Sequence, residues 1–120
     1  MATILVVEDI PGNRALATKL LRGAGHDVLS AETAEAALGI ASERTPDLIL
    51  MDLGLPDMDG WQALERLRAN ETTADIRVIA FTAHAMIGDR DRVLEAGFDG
   101  YISKPIDFAT FADSVRKLLP

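Results

Sequence analysis

The sequence predicts an α/β domain in which five parallel strands form one sheet with helices packed on both faces. Short apolar runs alternate five times with segments whose apolar residues recur at helical spacing. The runs are continuously apolar, which is typical of strands covered on both faces. Because crossovers between parallel strands are right-handed, such a chain forms a doubly wound, flavodoxin-like, three-layer sandwich. We expect one domain over residues 1–120, since a hydrophobic content of 48% suffices for one core.

The strands are predicted where the apolar runs lie, at residues 4–7, 28–31, 48–51, 78–81 and 101–102. The first helix is expected to bury a stripe of apolar residues at helical spacing, formed by Leu16, Leu20, Leu21 and Ala24. The second helix follows an N-cap at Thr33. Its buried stripe is expected to comprise Ala34, Ala37, Leu38 and Ala41.

The third helix is predicted to begin at Asp59 and to bury Leu64 and Leu67. A fourth helix over residues 83–96 has the weakest pattern, because Gly88 and the charged residues after it leave only a thin apolar stripe. Gly97 is the expected C′ residue of this helix. The last helix is predicted to begin at Asp107 and to bury four apolar residues, Phe108, Phe111, Val115 and Leu118.

Composition excludes several classes of protein. A formal net charge of −7 disfavours a nucleic acid or an anionic membrane as partner, since both attract basic surfaces. The absence of cysteine excludes a disulfide framework and thiolate metal sites. No run approaches the roughly 18 apolar residues of a membrane span. The N-terminus also has no basic leader, so the expected location is the cytoplasm.

Polar side chains follow four of the predicted strands at the point where each strand ends. Glu8 and Asp9 follow the first strand, Asp52 the third, Thr82 the fourth and Lys104 the fifth. Because the carboxyl ends of parallel strands lie at the same edge of a sheet, these side chains are expected to converge there. The sequence therefore predicts a site that combines three carboxylates, a hydroxyl and an ammonium group.

This combination of groups suits a divalent cation and phosphoryl transfer. Carboxylates held close together repel one another, so either one takes up a proton or a cation neutralises them. An oxygen-only ligand set favours a hard ion, and Mg²⁺ fits a site with few protein ligands. A carboxylate beside Mg²⁺ and a lysine can form an aspartyl phosphate. The chain has no Gly-rich phosphate loop for ATP, so the phosphoryl group is expected from another molecule.

Four segments of the sequence resemble the signatures of response-regulator receiver domains of the CheY-like superfamily. They are VVED at 6–9, DLILMDLGLPDMDG at 47–60, TAHAM at 82–86 and YISKPI at 101–106. The resemblance extends over the whole chain in the right order. It is strongest to single-domain cell-division regulators of the DivK type and to the receiver modules of hybrid histidine kinases.

The resemblance implies a metal site and a phosphoacceptor. Asp52 would be the phosphorylated residue, and Asp9 and Asp52 would bind Mg²⁺ directly. Glu8 would act largely through water, and the backbone carbonyl of Gly54 would complete the protein ligands. Such a domain is a phosphoacceptor switch rather than an enzyme, apart from Mg²⁺-dependent phosphorylation and dephosphorylation of itself.

The resemblance also implies the groups that bind the phosphoryl oxygens and transmit the signal. Thr82 would bond a phosphoryl oxygen, Lys104 would pair with it, and Tyr101 would be the aromatic switch residue. The peptide bond before Pro105 would be cis and would aim the lysine into the site. Gly54 and His84 occupy variable positions that are expected to control the access of water.

The implied partners are proteins. A histidine kinase or a histidine phosphotransfer protein would donate the phosphoryl group, and a downstream protein would bind the face formed by the fourth helix, fifth strand and fifth helix. Because the sequence ends at Pro120, soon after the last predicted helix, output is expected to pass through protein contacts. A free-standing regulator of a phosphorelay and a receiver module of a hybrid histidine kinase are both compatible with this sequence.

Two readings from other functional classes are weaker. A small phosphatase of the haloacid-dehalogenase type would use Asp52 as nucleophile, but it needs a second aspartate where this chain has Gly54. A flavin-binding module could share the fold. However, Glu8 and Asp9 would repel the phosphate of FMN where that cofactor needs hydrogen-bond donors.

Overall fold

The computed structural model describes residues 2–83 and 89–120. Within these residues strands and helices alternate along the chain. The strands are β1 Thr3–Val7, β2 Asp27–Ala31, β3 Leu48–Asp52, β4 Arg77–Thr82 and β5 Gly100–Ser103. The helices are α1 Pro11–Gly23, α2 Ala34–Arg44, α3 Gly60–Ala69, α4 Asp89–Glu95 and α5 Phe111–Leu118.

The five strands form one parallel sheet in the order β2-β1-β3-β4-β5. The chain therefore winds outward in both directions from β1 and β3, as the prediction of a doubly wound fold requires. Residues at the carboxyl ends of the strands are in register, with Val7 opposite Met51 and Thr82 opposite Ser103. In such sheets the crevice for ligands lies outside these ends, where the strand order reverses.

Each face of the sheet has its own hydrophobic core because alternate residues of a strand point to opposite sides. Leu5 and Val7 of β1 face the core that α2, α3 and α4 cover. Ile4 and Val6 face the core that α1 and α5 cover. All four side chains are fully buried, which explains the continuously apolar pattern of the strands.

Local hydrogen bonds confirm the predicted starts of α2 and α3. The Thr33 hydroxyl accepts from the N–H of Ala36, and the Asp59 carboxylate accepts from the N–H of Gln62. Both residues are in extended conformation, as N-cap residues usually are.

Gly97 ends α4 as predicted. Its φ of 109° lies in a region that L side chains rarely adopt. The N–H of Gly97 donates to the carbonyl of Leu94, and that of Phe98 donates to the carbonyl of Val93. This pair of bonds is a Schellman motif, and the side chains of Phe98 and Val93 are both buried in the same hydrophobic core.

The prediction for the buried stripe of α1 was wrong at Ala24. This residue is exposed and forms the C-cap of the helix, while the fully buried positions are Ala17 and Leu21. Gly25 follows with a φ of 94°, which turns the chain away from the helix axis toward β2. Among the other residues predicted to be buried, Leu16, Leu20, Leu38 and Leu118 are only half-buried.

The prediction for the last helix was wrong at its start, because α5 begins at Phe111 rather than at Asp107. The Asp107 carboxylate accepts from the N–H of Ala109, which forms a local turn before the helix. This turn directs Phe108 outward, and 69% of that residue is exposed rather than buried.

The prediction of a fourth helix over residues 83–96 is confirmed only for its C-terminal part. Within the described residues α4 covers Asp89–Glu95, Ala83 lies in a bend outside it, and residues 84–88 lie outside the described part. No helix in the described ranges is long and apolar enough to cross a membrane.

We expect Gly60→Ala to lower the free energy of unfolding by about 2 kcal/mol, as overpacking does. A Cβ atom at this first residue of α3 would lie 2.9 Å from the carbonyl oxygen of Asp52 and 2.7 Å from Leu53 Cδ2. Denaturant unfolding measures the change. Gly39→Ala is the control, because its Cβ would meet nothing within 4 Å inside α2. That substitution should raise the same free energy by about 0.5–1 kcal/mol, and a loss at both positions would contradict the steric argument.

Candidate functional site

The sheet brings together the acidic side chains that the sequence placed at its carboxyl edge. Single carboxylate oxygens of Glu8, Asp9 and Asp52 all lie within 4.8 Å of one another. Glu8 is completely buried and Asp52 is 7% exposed, whereas Asp9 remains accessible to solvent. Carboxylates so close together in a partly buried site favour a divalent cation of the hard type, and their oxygens are the ligands that Mg²⁺ prefers. These three residues therefore fit a magnesium ion.

Lys104 joins this acidic cluster from β5. Its Nζ lies 2.5 Å from Glu8 Oε2 and 3.3 Å from Asp52 Oδ2. The same ammonium group lies 4.8 Å from the centroid of the Phe81 ring. The side chain is only 11% exposed, so the Lys104 ammonium is a largely buried counterion for two buried carboxylates.

The backbone at Lys104 continues from β5 beside the end of β4. The Lys104 N–H donates to the carbonyl of Thr82 at 2.8 Å, which extends the pairing of β5 with β4. The peptide bond between Lys104 and Pro105 is cis, the isomer expected from the sequence. The lysine thus leaves the end of β5 next to the ends of β4 and β3.

Burial raises the pKa of the Glu8 carboxyl above its usual range. The hydrogen bond from Lys104 acts in the opposite direction, and the neighbouring charge of Asp52 raises the pKa further. The N–H of Ile10 also donates to Glu8 Oε1, at 3.3 Å. The hydrogen bonds from Lys104 and Ile10 thus partly offset the effect of burial on the pKa of Glu8.

Arg14 of α1 holds the backbone that carries the acidic pair, a role that the sequence analysis missed. Its Nη1 donates to the carbonyl of Glu8 at 2.9 Å and approaches that of Asp9 at 3.5 Å. Its Nη2 forms an ion pair with Glu32 at 3.2 Å. Basic residues are common in helices, and nothing in the sequence marks one that binds carbonyl oxygens of the preceding loop.

Hydrogen bonds restrain the loop between β3 and α3 at three points, and the buried Leu55 side chain also holds it to the core. The N–H of Gly54 donates to Asp52 Oδ1 at 3.0 Å, and the N–H of Gly60 donates to the carbonyl of Leu53 at 3.1 Å. At the third point Asp57 accepts from the N–H groups of Ala34 and Glu35 in α2, each at 3.0 Å. Gly54 is therefore held beside the acidic cluster, with its N–H directed at Asp52.

Sequence analysis assigned no function to Asp57, which lies within the segment at 47–60. The N–H groups of Glu35 and Ala34 lower the pKa of the Asp57 carboxyl, so it stays ionised at neutral pH. No local spacing reveals this contact, because Asp57 lies more than 20 positions from its partners, 23 from Ala34 and 22 from Glu35.

The remaining candidates lie on β4 and β5. Thr82, the last residue of β4, is 3% exposed. Tyr101 is half-buried on β5 beside Ala80, and its side chain packs against the core under α2, α3 and α4. The other variable-position candidate, His84, lies outside the described residues.

Comparison with known proteins agrees with this geometry. Residues 4–116 match the family model described as the response regulator receiver domain. Over 117 residues the chain is 37% identical to the polar-differentiation response regulator DivK of Brucella ovis, covering 98% of this chain and 95% of that protein.

Solved structures show the same likeness. The receiver domain of a sensor histidine kinase from Pseudomonas aeruginosa, which has a magnesium ion coordinated in its active site cleft, is 37% identical with a TM-score of 0.84. That match covers 98% of this chain and 93% of the other. The chemotaxis response regulator CheY4 of Vibrio cholerae has the same fold, with a TM-score of 0.92 at 24% identity and 99% coverage of both chains.

We expect Lys104→Met to lower the free energy of unfolding by about 3 kcal/mol, because it leaves the buried Glu8 carboxylate without its cation. Denaturant unfolding without divalent cations measures the effect. Lys117→Met is the control, since the Lys117 side chain is 70% exposed and forms an ion pair with the exposed Asp113. The control should change the same free energy by no more than about 0.5 kcal/mol. Equal losses in the two variants would show that the buried ion pair is not the cause.

Proposed function

Because this chain belongs to the response regulator receiver domain family, we propose that it is a switch that accepts a phosphoryl group on Asp52. The observation that supports this most is the buried Asp52 carboxylate, which lies 3.3 Å from the Lys104 ammonium and beside Glu8 and Asp9. Asp52 is the last residue of β3, the middle strand of the five, whereas Glu8 and Asp9 follow β1. In this proposal Asp52 is the nucleophile that the surrounding groups serve.

Asp9, Asp52 and the carbonyl oxygen of Gly54 would hold a Mg²⁺ ion, with Glu8 acting through water. When bound, the ion offsets negative charge on the phosphoryl oxygens and on the attacking carboxylate. Support comes from the hard oxygen ligands of the cluster and from the Pseudomonas receiver domain with magnesium in its cleft. The position of Gly54 supports the third ligand, since its N–H is bonded to Asp52 and its backbone is thereby held at the cluster.

The donor is a phosphohistidine of a histidine kinase or of a histidine phosphotransfer protein. A carboxylate oxygen of Asp52 attacks the phosphorus atom, the P–O bond forms and the P–N bond of the donor breaks. The electron pair of that bond returns to the imidazole nitrogen of the donor. Lys104 then pairs with a phosphoryl oxygen, and the Thr82 hydroxyl donates a hydrogen bond to another.

Residue 54 influences the lifetime of the phosphorylated state. A Cβ atom at Gly54 would lie 3.8 Å from Asp52 Oδ1, so a larger side chain at this position would cover the acceptor. Glycine leaves a path for the water that hydrolyses the aspartyl phosphate. The domain accordingly removes its own phosphoryl group, and beyond that we assign it no enzymatic activity.

The output is carried by contacts with a downstream protein at the face formed by α4, β5 and α5. Thr82 moves toward the phosphoryl oxygen, and the Tyr101 ring follows into the space behind it. The half-buried position of Tyr101 against the core supports this, because the ring can exchange solvent contact for packing. Phosphorylation shifts the balance between the two ring positions by the difference in free energy with which it favours each.

The free-standing regulator of a phosphorelay is the form of this function that we favour, with residues 1–120 as one receiver domain. The DivK relatives support it, since this chain covers 95% of the length of the Brucella ovis protein. The second candidate is the receiver module of a hybrid histidine kinase, which the equal identity of 37% to the Pseudomonas receiver domain favours. Phosphotransfer from each of the host's histidine kinases and phosphotransfer proteins would separate them through the preferred donor.

We expect acetyl phosphate or a phosphohistidine donor to add one phosphoryl group to the protein when Mg²⁺ is present. The adduct should be lost in Asp52→Asn and when the cation is chelated, because the acceptor and the charge compensation are then removed. Intact-mass spectrometry measures it. Asp59→Asn is the matched control, since it makes the same change at the N-cap of α3, where asparagine caps equally well. An undiminished adduct in Asp52→Asn would disprove the assignment of the acceptor.

Tyr101 is the only tyrosine of the chain, so fluorotyrosine labelling gives a single ¹⁹F resonance. We expect beryllofluoride, a mimic of the phosphoryl group, to shift this resonance in the wild type and in Thr72→Ala, which alters an exposed threonine. In Thr82→Ala the shift should be largely lost, because no hydroxyl moves toward the mimic. A full shift in Thr82→Ala would contradict the coupling between the two residues.

A further inference from the structure

We propose that Asp57 is a positioning residue that holds Gly54 at the metal site by tying the loop between β3 and α3 to the N-terminus of α2. The inference rests on the function proposed above, in which the Gly54 carbonyl binds the cation. It concerns the two hydrogen bonds from the N–H groups of Ala34 and Glu35 to the two oxygens of the Asp57 carboxylate, each 3.0 Å long.

The contact links two parts of the chain that lie far apart in sequence. Asp57 is 23 positions from Ala34. Between Gly54 and Asp57 the loop is also held by Leu55, whose buried side chain lies in the core under α2, α3 and α4. Toward β3 the loop is held by the bond from the Gly54 N–H to Asp52, and toward α3 by the bond from the Gly60 N–H to Leu53. Between these two bonds along the chain, Asp57 attaches the loop to a third element, α2.

Asp57 complements the cap of α2 rather than duplicating it. The helix has a cap of its own in Thr33, whose hydroxyl accepts from the Ala36 N–H at 3.2 Å. The next N–H group, that of Ala37, donates to the Thr33 carbonyl. Thr33 does not bind the first two N–H groups of α2, and Asp57 accepts from both of them. The two caps are therefore complementary, and only Asp57 belongs to the loop that carries Gly54.

The charge of Asp57 suits this role. An ionised carboxylate is stabilised at a helix N-terminus by the N–H groups and by the positive end of the helix dipole. The two bonds use both oxygens, which restrains the orientation of the side chain as well as its position. Through the backbone from Asp57 to Gly54, this restraint limits how far the Gly54 peptide can move from Asp52.

The test compares Asp57→Ala with Thr33→Ala in the full chain. Both substitutions remove hydrogen bonds to the N-terminus of α2, but only the first releases the loop. Two quantities are measured, the dissociation constant of Mg²⁺ by calorimetry and the amide hydrogen exchange rate of Gly54 by NMR. Denaturant unfolding of each variant shows that both remain folded under these conditions.

We expect Asp57→Ala to raise the dissociation constant about tenfold, as loss of a group that orients a metal ligand does. The Gly54 amide should also exchange faster, since its bond to Asp52 is less constrained. Thr33→Ala should leave both quantities near their wild-type values. Asp57→Asn, which keeps one acceptor oxygen, should lie between the wild type and Asp57→Ala.

The inference is overturned if Asp57→Ala leaves the Gly54 exchange rate unchanged, or if Thr33→Ala changes both quantities by the same factor. Failure of the proposed function looks different. In that case the wild type itself binds no Mg²⁺, or Asp9→Asn binds it as tightly as the wild type does. The amide exchange rate of Gly54 can be measured without a cation, so it shows whether Asp57 holds the loop even in that case.

Discussion

The structure depends on the contact between Lys104 and the two buried carboxylates, Glu8 and Asp52. Burial of a carboxylate as complete as that of Glu8 is costly unless a cation and hydrogen bonds compensate for the lost water. The lysine provides that compensation from β5, across the two strands that separate it from β1. The ends of the sheet are therefore held in register by charge as well as by backbone hydrogen bonds. In the function proposed here, the same ammonium group changes its partner from carboxylates to phosphoryl oxygens.

The loops around this ion pair are restrained by residues outside the site. Arg14 binds the carbonyl groups of the acidic pair, and Asp57 binds the N-terminus of α2. The two side chains have opposite charges and use them differently, since the guanidinium donates to backbone carbonyls and the carboxylate accepts from backbone N–H groups. Both restrain the position of charged groups before any ligand arrives, which limits the reorganisation that binding must cause.

The sequence predicted the features that depend on local pattern. Strands, the doubly wound class, the N-caps at Thr33 and Asp59 and the turn at Gly97 all follow from neighbouring residues, and the structure confirms them. Convergence of the acidic side chains followed from the rule that parallel strands end at one edge.

The wrong and missing predictions concern features that depend on contacts between residues distant in sequence or on competition between local structures. Asp107 was taken as the first residue of a helix, but its side chain forms a turn before α5 and leaves Phe108 exposed. Arg14 and Asp57 were missed because their partners are backbone groups, and backbone groups have no sequence signal. Helical spacing also placed Ala24 in the buried stripe, although α1 ends before that position.

The order of the strands has a consequence for how the domain meets other proteins. The two strands at the borders of the sheet, β2 and β5, each leave one side of their backbone unpaired in the sheet. Exposed borders of this kind invite strand addition and aggregation. Here β5 is only four residues long and is followed at once by Lys104 and Pro105, while β2 begins at the exposed Asp27. Short length, charge and proline all oppose edge-to-edge pairing, so a partner is expected to contact side chains of the domain rather than to add a strand to its sheet.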